Sequence, residues 1–581
     1  MSRWPAHNQD HITNVRALTP GNPAQENQMI TDDLRSRALA WADDDPDAAT
    51  ATALRDLLER ADAGDQDAAD ELTSAFAGPL TFGTAGLRAA LGPGPGRMNR
   101  VVVSQAAAGF ANWLKAQGHT SGRVLIGYDA RYNSDVFAAD TAEIMAAAGF
   151  EAVLTDAPTP TPVVAFGIKH FGCVAAVVVT ASHNPPADNG YKVYLGDGSQ
   201  IVPPADVEIA AQIAEVAARP LADIARTSDY RMIGQELIDA YVARTTELVP
   251  VGAPRELTWV YTAMHGVGAR VVDQVVRACG FTEGIAVAQQ VEPDPAFPTV
   301  AFPNPEEPGA IDLAIQLATD SDADIVVAND PDADRCAAAA RFGEGWRMLT
   351  GDELGALLGD DALRRGVEGV YANSVVSSTL LGTMARAAGR PFTTTLTGFK
   401  WIGRVPGLGF GYEEAIGYCC DPTVVPDKDG ITALVNILRI AAELKAAGSS
   451  VPERLDEISR THGVHATGQL SVRVADLQII RDAMAKLRGN PPATLLGKPV
   501  EVRDLSQPTG DLPATDAIEL TGARVHVVAR PSGTEPKLKC YLEARVSAED
   551  SAADLDDAKA RATQMLAQVR AEMAQALGVQ G

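Results

Sequence analysis

The sequence predicts an α/β protein made of repeated units and closed by a smaller α+β tail, and three observations carry that reading. From Leu80 onward, short apolar runs alternate with helical patterns. Several of these runs are apolar at every position, as in strands buried on both faces, and each leads directly into a polar loop. The rhythm restarts twice without any repeat of residue identity, and 581 residues at roughly 150 per domain suggest about four domains.

Taken in order, residues 1–30 are polar and dotted with proline, with no apolar stretch of the signal-peptide kind. They read as a flexible N-terminal extension. Thr31 stands as N-cap of the helix DDLRSRALAWA and opens a first domain expected over 31–248. Within it, residues 123–127 (RVLIG) read as a strand and 137–148 as a helix closed by Gly149. Residues 175–179 (AAVVV) read as a buried parallel strand, and 206–218 as a helix. A second domain, 249–363, has strands at 257–261 and 324–328, the first feeding TAMHGVG and the second an acidic loop. A third, 364–462, starts from GVYANSVV (369–376) and runs through Gly398 and Tyr412. In the last, 463–581, residues 523–529 and 538–546 flank RPSGTEPK, and Ser551 is expected to cap one long helix ending at Leu577, before Gly578.

Composition narrows the function. Lys and Arg number 49 against 75 Asp and Glu, a net charge of -26 that repels nucleic acid and anionic membrane. An anionic substrate would therefore need local positive charge from a metal, Arg, Lys or helix N-termini. No run approaches 18 apolar residues, so no membrane span is expected. Six scattered cysteines without a C-x-x-C pair suit a reducing compartment, and a cytoplasmic location is expected.

Four loops carry candidate chemistry. Ser182, in Thr180-Ala181-Ser182-His183-Asn184-Pro185, follows the buried strand. It is either a turn residue bonding nearby backbone or a nucleophile, and a phosphoserine there would need cations around it. No G-x-S-x-G elbow supports a hydrolase triad. Asp330, Asp332 and Asp334, spaced by two, would point to one side of an extended loop as hard oxygen ligands for Mg²⁺; a solvated acidic loop is the alternative. A calcium EF-hand fails, because Arg335 replaces the turn glycine and Arg341 the bidentate glutamate. Without a cation, three such carboxylates would raise one another's pKa values. The run 530–537 (RPSGTEPK) reads as a phosphate nest or as a plain hairpin turn. Glu413 and Glu414 form a carboxylate pair between glycines, in which either Glu413 accepts from sugar hydroxyls or both are solvated surface glutamates. Walker A, dinucleotide-binding and zinc motifs are absent.

In order along the chain, FGTAGLR (82–88), GYDARYNS (127–134), TASHNPPADNGYKV (180–193), TAMHGVG (262–268), PNPEEP (303–308), DPDADR (330–335), TGFKWIG (397–403), GYEEAIGY (411–418) and RPSGTEPK resemble the motifs of the α-D-phosphohexomutase superfamily. The wording and length are most similar to the phosphoglucomutase-2 and phosphopentomutase-like branch. The resemblance implies four domains around a central cleft, three related α/β domains with mixed sheets and a smaller C-terminal α+β domain. It implies phospho-Ser182 as phosphoryl donor, with Mg²⁺ held by Asp330, Asp332, Asp334 and a phosphate oxygen of Ser182. By the same resemblance His183, Lys192, Arg88 and Lys400 belong to the catalytic set. Arg335, Gly398 and Glu413 would meet the sugar phosphate, and Arg530, Ser532, Gly533 and Thr534 the distal phosphate. Many members carry a serine where this chain has Ala415, which removes one hydroxyl from the sugar site. The implied activity interconverts hexose 1- and 6-phosphates, glucose first and mannose second, through a sugar 1,6-bisphosphate, with glucose 1,6-bisphosphate or a related compound as activator. A phosphopentomutase acting on ribose or deoxyribose 1-phosphate is the alternative. The expected partner is a small phosphosugar, and the expected state a monomer or weak homodimer.

Overall fold

The computed structural model describes residues 29–474, 476–508, 512–532 and 537–579, and most of the expected extension falls outside them. The chain forms two compact units, one comprising residues to Pro79 with Gly92–Gly96, the other Leu80–Leu91 with Arg97–Gly581. In the first unit, helices Asp32–Asp44, Ala48–Asp62 and Gln66–Ala75 are capped by Thr31, Asp47 and Asp65, each side chain accepting from a first-turn N–H. Their inner faces share an apolar cluster around Leu34, Leu54, Leu58, Leu72 and Phe76.

The second unit contains four larger sheets. The first has the order Leu87–Ala90, Asp188–Leu195, Ala175–Val179, Arg123–Tyr128, Glu151–Thr155, Arg231–Ile233. Its last four strands are parallel, while Asp188–Leu195 runs antiparallel to both neighbours. The second sheet repeats the plan: Trp259–Thr262 and Ile325–Asn329 pair in parallel, and Cys336–Phe342 returns antiparallel. In the third, Val370–Ser374 and Leu408–Glu413 are parallel, and Gly417–Cys419 returns antiparallel. The serine, aspartate and Glu413 loops thus each join a buried parallel strand to an antiparallel return strand. Hairpin connectors, not crossover helices, hold them, which is why the sheets are mixed.

The fourth sheet is wholly antiparallel, in the order Val464–Arg473, Lys537–Val546, Val525–Pro531, Ile518–Gly522, Glu501–Asp504. Its helices do not match the expected single element. Ser547 caps a short helix, Ala548–Ala553, and Asp554 caps the long one, Leu555–Leu577. Ser551 is no cap: it is buried in the short helix, donates to Ser547 O at 2.8 Å and accepts from Val464 N at 3.2 Å. The helix breaks at Asp554, whose extended backbone (φ -152°, ψ 102°) frees its carboxylate for Asp557 N.

One continuous apolar core runs through the first three sheets, from Leu125 and Val178 through Val327 to Phe410 and Leu434. The fourth sheet has a core of its own, around Leu487, Leu520, Val527 and Val569. Between third and fourth sheets lies a small patch of Val375, Val376, Leu505, Ala517 and Val528. Beside it, buried Glu543 accepts from Ser378 Oγ at 2.6 Å, Thr379 N at 2.9 Å and Thr379 Oγ1 at 2.7 Å, and contacts His465 Nδ1 at 2.9 Å. Burial would raise its pKa, but the hydrogen bond and charge of His465, with Ser378, override burial and hold it at about 2. Stability from this carboxylate is present above its ordinary value of 4.5 and is lost as pH falls through about 2. Glu543→Gln should cost about 1.5–3 kcal/mol at pH 7 and flatten the acid limb of stability between those values, as urea titrations across pH would show.

Candidate active site

Ser182 sits at the first turn beyond strand Ala175–Val179, 3% exposed, with φ +53°. Its Oγ donates to Asp330 Oδ2 at 2.8 Å and lies 3.3 Å from His183 Nδ1. The hydroxyl therefore faces a carboxylate from the second sheet and not the backbone of its own turn. Burial and the charges of Arg335 and Arg88 hold the His183 pKa well below its ordinary value, so its imidazole is neutral at pH 7.

The aspartates follow strand Ile325–Asn329. Their loop is not the extended segment expected: Ala333 N donates to Asp330 O at 2.8 Å, and Ala333 is left-handed at φ +57°. The turn still gathers all three carboxylates, with one oxygen of each within 4.8 Å of the others, and all are buried. Asp332 accepts from Lys192 Nζ at 2.7 Å and from Thr161 Oγ1 at 2.6 Å, while Asp334 accepts from Lys192 Nζ at 2.8 Å. Asp332 Oδ1 and Asp334 Oδ1 are buried without a hydrogen-bond partner. Two orphaned carboxylate oxygens on a hard-oxygen cluster fit a divalent cation.

The expected collective rise in pKa holds for one aspartate only. Burial, Asp332 and Asp334 push Asp330 well up. Burial and carboxylate repulsion act on the other two as well, but Lys192 outweighs them at Asp332, and Lys192, Lys428 and Arg335 do so at Asp334, so both are lowered.

Arg335 Nε is 3.9 Å from Asp334 Oδ1, and Arg88 Nη1 donates to Asn184 Oδ1 at 3.3 Å. On the third sheet, Gly398 N donates to Glu413 Oε2 at 3.1 Å, and Lys400 Nζ reaches Thr84 Oγ1 in the FGTAGLR loop. Burial lowers the Lys400 pKa. Neither Glu413 nor Glu414 is a solvated surface group: Glu413 is 8% exposed, and Glu414 accepts from Ser374 and Ser377 at 3.2 Å each. In the fourth sheet Arg530 is the penultimate residue of strand Val525–Pro531, and Ser532 N donates to Lys537 O at 2.7 Å. Gly533 and Thr534 lie outside the described residues.

Each of the four sheets has most of its strands within one of four matched segments. Residues 79–220, 239–343 and 350–461 match phosphoglucomutase/phosphomannomutase alpha/beta/alpha domains I, II and III, and residues 470–562 match the C-terminal domain. The chain belongs to the phosphoglucomutase/phosphomannomutase family. It is therefore a phosphosugar mutase, an isomerase that works by phosphoryl transfer. Its relatives include a protein named "Probable phosphomannomutase" from Haemophilus influenzae, 47% identical over 77% of this chain and 93% of the relative. "Phosphopentomutase" from Homo sapiens is 34% identical (90% and 93% covered), and "Phosphoglucomutase" from Staphylococcus aureus 32% (81% and 91%). The fold is shared with the open form of a Paramecium phosphoglucomutase, at a TM-score of 0.65 and 18% identity over 87% of this chain and 97% of that one.

Three further residues of this mutase come to the site that the sequence reading did not assign to it. Lys428 Nζ lies 3.4 Å from Asp334 Oδ2 and 5.7 Å from the Phe399 ring centroid, between the aspartates and the sugar loop. Thr161, at the start of helix Thr161–His170, also donates N–H to Asp332 O at 2.9 Å. Thr84 partners Lys400. Thr84 lies within the FGTAGLR motif and Lys428 stands as a lone lysine in the acidic run DKDG, whereas Thr161 left no signal. The TAMHGVG loop proves to back the aspartates: Val267 N donates to Pro331 O, and a Cβ at Gly266 would lie 2.3 Å from Pro331 Cα. Gly266→Ala should therefore displace the turn and weaken Mn²⁺ binding by about 10–100-fold, as read by spin-resonance titration.

Proposed function

We propose that the chain interconverts hexose 1-phosphate and hexose 6-phosphate by relaying a phosphoryl group through Ser182, with glucose the first substrate and mannose the second. The observation that carries this reading is the placement of Ser182 Oγ 2.8 Å from Asp330, at the edge of a carboxylate cluster with two orphaned oxygens. Asp330, Asp332 and Asp334 would hold Mg²⁺, which when bound offsets the charge of the phosphoryl group.

In the first half-reaction the P–Oγ bond of phospho-Ser182 breaks and a P–O bond forms to the free sugar hydroxyl, giving a 1,6-bisphosphate. Ser182 Oγ, released from phosphorus, takes up a proton to return as a hydroxyl, and the sugar hydroxyl loses its proton to a nearby base. Lys400 suits that role because burial lowers its pKa, whereas Lys192, bonded to two carboxylates, stays charged and steadies the transferring oxygens. Arg88 and Arg335 flank the moving group. His183, neutral and 3.3 Å from Oγ, orients the serine. Glu413 accepts sugar hydroxyls, while Arg530, Ser532, Gly533 and Thr534 take the phosphate that stays. The bisphosphate then turns round and returns its other phosphate to Ser182, and a sugar 1,6-bisphosphate primes an enzyme that has lost its phosphate.

A pentose reading has its own support. Relatives named phosphopentomutase and phosphoribomutase share 32–36% identity over 83–91% of the chain, and Ala415 offers the sugar no hydroxyl. A coupled assay with glucose, mannose and ribose 1-phosphates, each with glucose 1,6-bisphosphate, decides between them. Higher kcat/KM on either hexose supports the proposal; a higher value on ribose 1-phosphate replaces it. Ser182→Ala should lose at least about 10⁴-fold in kcat, with the phosphate found on the Ser182 peptide by mass spectrometry in the unaltered protein only. Chelation should abolish activity and added Mg²⁺ restore it.

A further inference from the structure

The GYDARYNS segment places a guanidinium beneath the serine loop. Arg131 is 4% exposed, and its two terminal nitrogens donate to four backbone carbonyls of that loop. Nη2 reaches Ser182 O at 2.7 Å and Asn184 O at 2.6 Å; Nη1 reaches Pro185 O at 2.8 Å and Asp188 O at 3.1 Å. Its Nε lies 3.3 Å from Asp129 Oδ2, and Asp129 Oδ1 accepts in turn from Arg131 N and Ser134 Oγ. The other side of the guanidinium is covered by Phe297 of the second sheet's loops, whose ring centroid is 5.0 Å away.

Four carbonyls converging on one point would repel each other and leave buried acceptors unpaired. A planar fork with five N–H donors satisfies them together, which a lysine's single ammonium does not. The pull is one-sided. Carbonyls 182, 184, 185 and 188 are held towards Arg131, and Ser182 stays at φ +53°, a region costly for a residue with a Cβ. Its Oγ is thereby aimed at Asp330.

We propose that Arg131 is a positioning residue for phosphoryl transfer, fixing the serine loop from beneath so that Oγ meets the aspartate cluster and supplying positive charge under the phosphorylated serine. Arg131 is buried and spends its terminal donors on the loop backbone, so its effect belongs in kcat. The inference rests on Ser182 being the phosphoryl carrier, and that premise is measured separately by phosphate on the Ser182 peptide of the unaltered protein and by Ser182→Ala.

The experiment compares Arg131→Lys, which keeps the charge without the fork, and Arg131→Ala, assayed with and without millimolar guanidinium. Each is read by kcat, by KM for the sugar phosphate and by amide hydrogen exchange of residues 180–190. In Arg131→Lys the expected result is kcat down about 100-fold with KM within about threefold, and faster exchange confined to that loop. Guanidinium should restore part of the lost kcat in Arg131→Ala. Unchanged kcat, a KM rise that accounts for the whole loss, or loop exchange equal to that of the unaltered protein overturns the proposal. If Arg131→Ala does not fold, Arg131→Lys decides by the same readouts. Loss of Ser182 as carrier would instead show as full activity in Ser182→Ala, whatever the Arg131 variants do.

Discussion

Three buried carboxylates within 4.8 Å of one another are the constraint on which the rest of the second unit depends. Uncompensated charge is expensive away from water, so neighbouring elements must bring cations and donors to the cluster. They come from three sheets. The first supplies Lys192, and a helix packed on it supplies Thr161; the second supplies Arg335 beside the aspartates; the third brings Lys428 beyond its return strand. The continuous apolar core through the same three sheets fixes these groups at their distances. The negative surface implied by a net charge of -26 makes that local concentration of Lys and Arg more necessary still.

The loops share a construction that suits the chemistry. A hairpin connector is anchored at both ends by ladder hydrogen bonds, so a short loop carries a reactive group with little freedom. The serine loop, the aspartate turn and the Glu413 loop are each closed by pairing at their bases, at Val178–Lys192, Asn329–Cys336 and Glu413–Gly417. Lys192 thus belongs both to the ladder that closes one loop and to the charge balance of another.

Much of this is legible in the residues. Strand Ala175–Val179 is apolar throughout because both faces are covered, and Thr31 caps the first helix as its hydroxyl allows. The three aspartates and Ser182 stand out because each follows such a strand. The return strands are harder to read, since DNGYKVYL mixes polar and apolar positions and its pairing depends on the fold. The last helix misleads for a related reason: Ser547, Ser551 and Asp554 are all good capping types, and the bonds of Ser551 to Ser547 O and from Val464 N show it to be internal. The lone lysine of DKDG marks Lys428 but does not tie it to this site, because 94 positions separate it from Asp334 and packing brings them together. The opposite shifts of Asp330 and its two neighbours follow from that same tertiary placement of lysines.

The separate core of the fourth sheet has a consequence for how damage spreads. That sheet buries its own apolar residues, and it meets the preceding elements through the Val375–Val528 patch, the Glu543 hydrogen bonds, the Arg545–Thr379 contact and the ion pair of Lys559 with Asp456. A domain with its own core does not need its neighbour's packing to keep its shape. A substitution that disturbs the aspartate turn therefore strains the core shared by the first three sheets and leaves the strand that carries Arg530 intact.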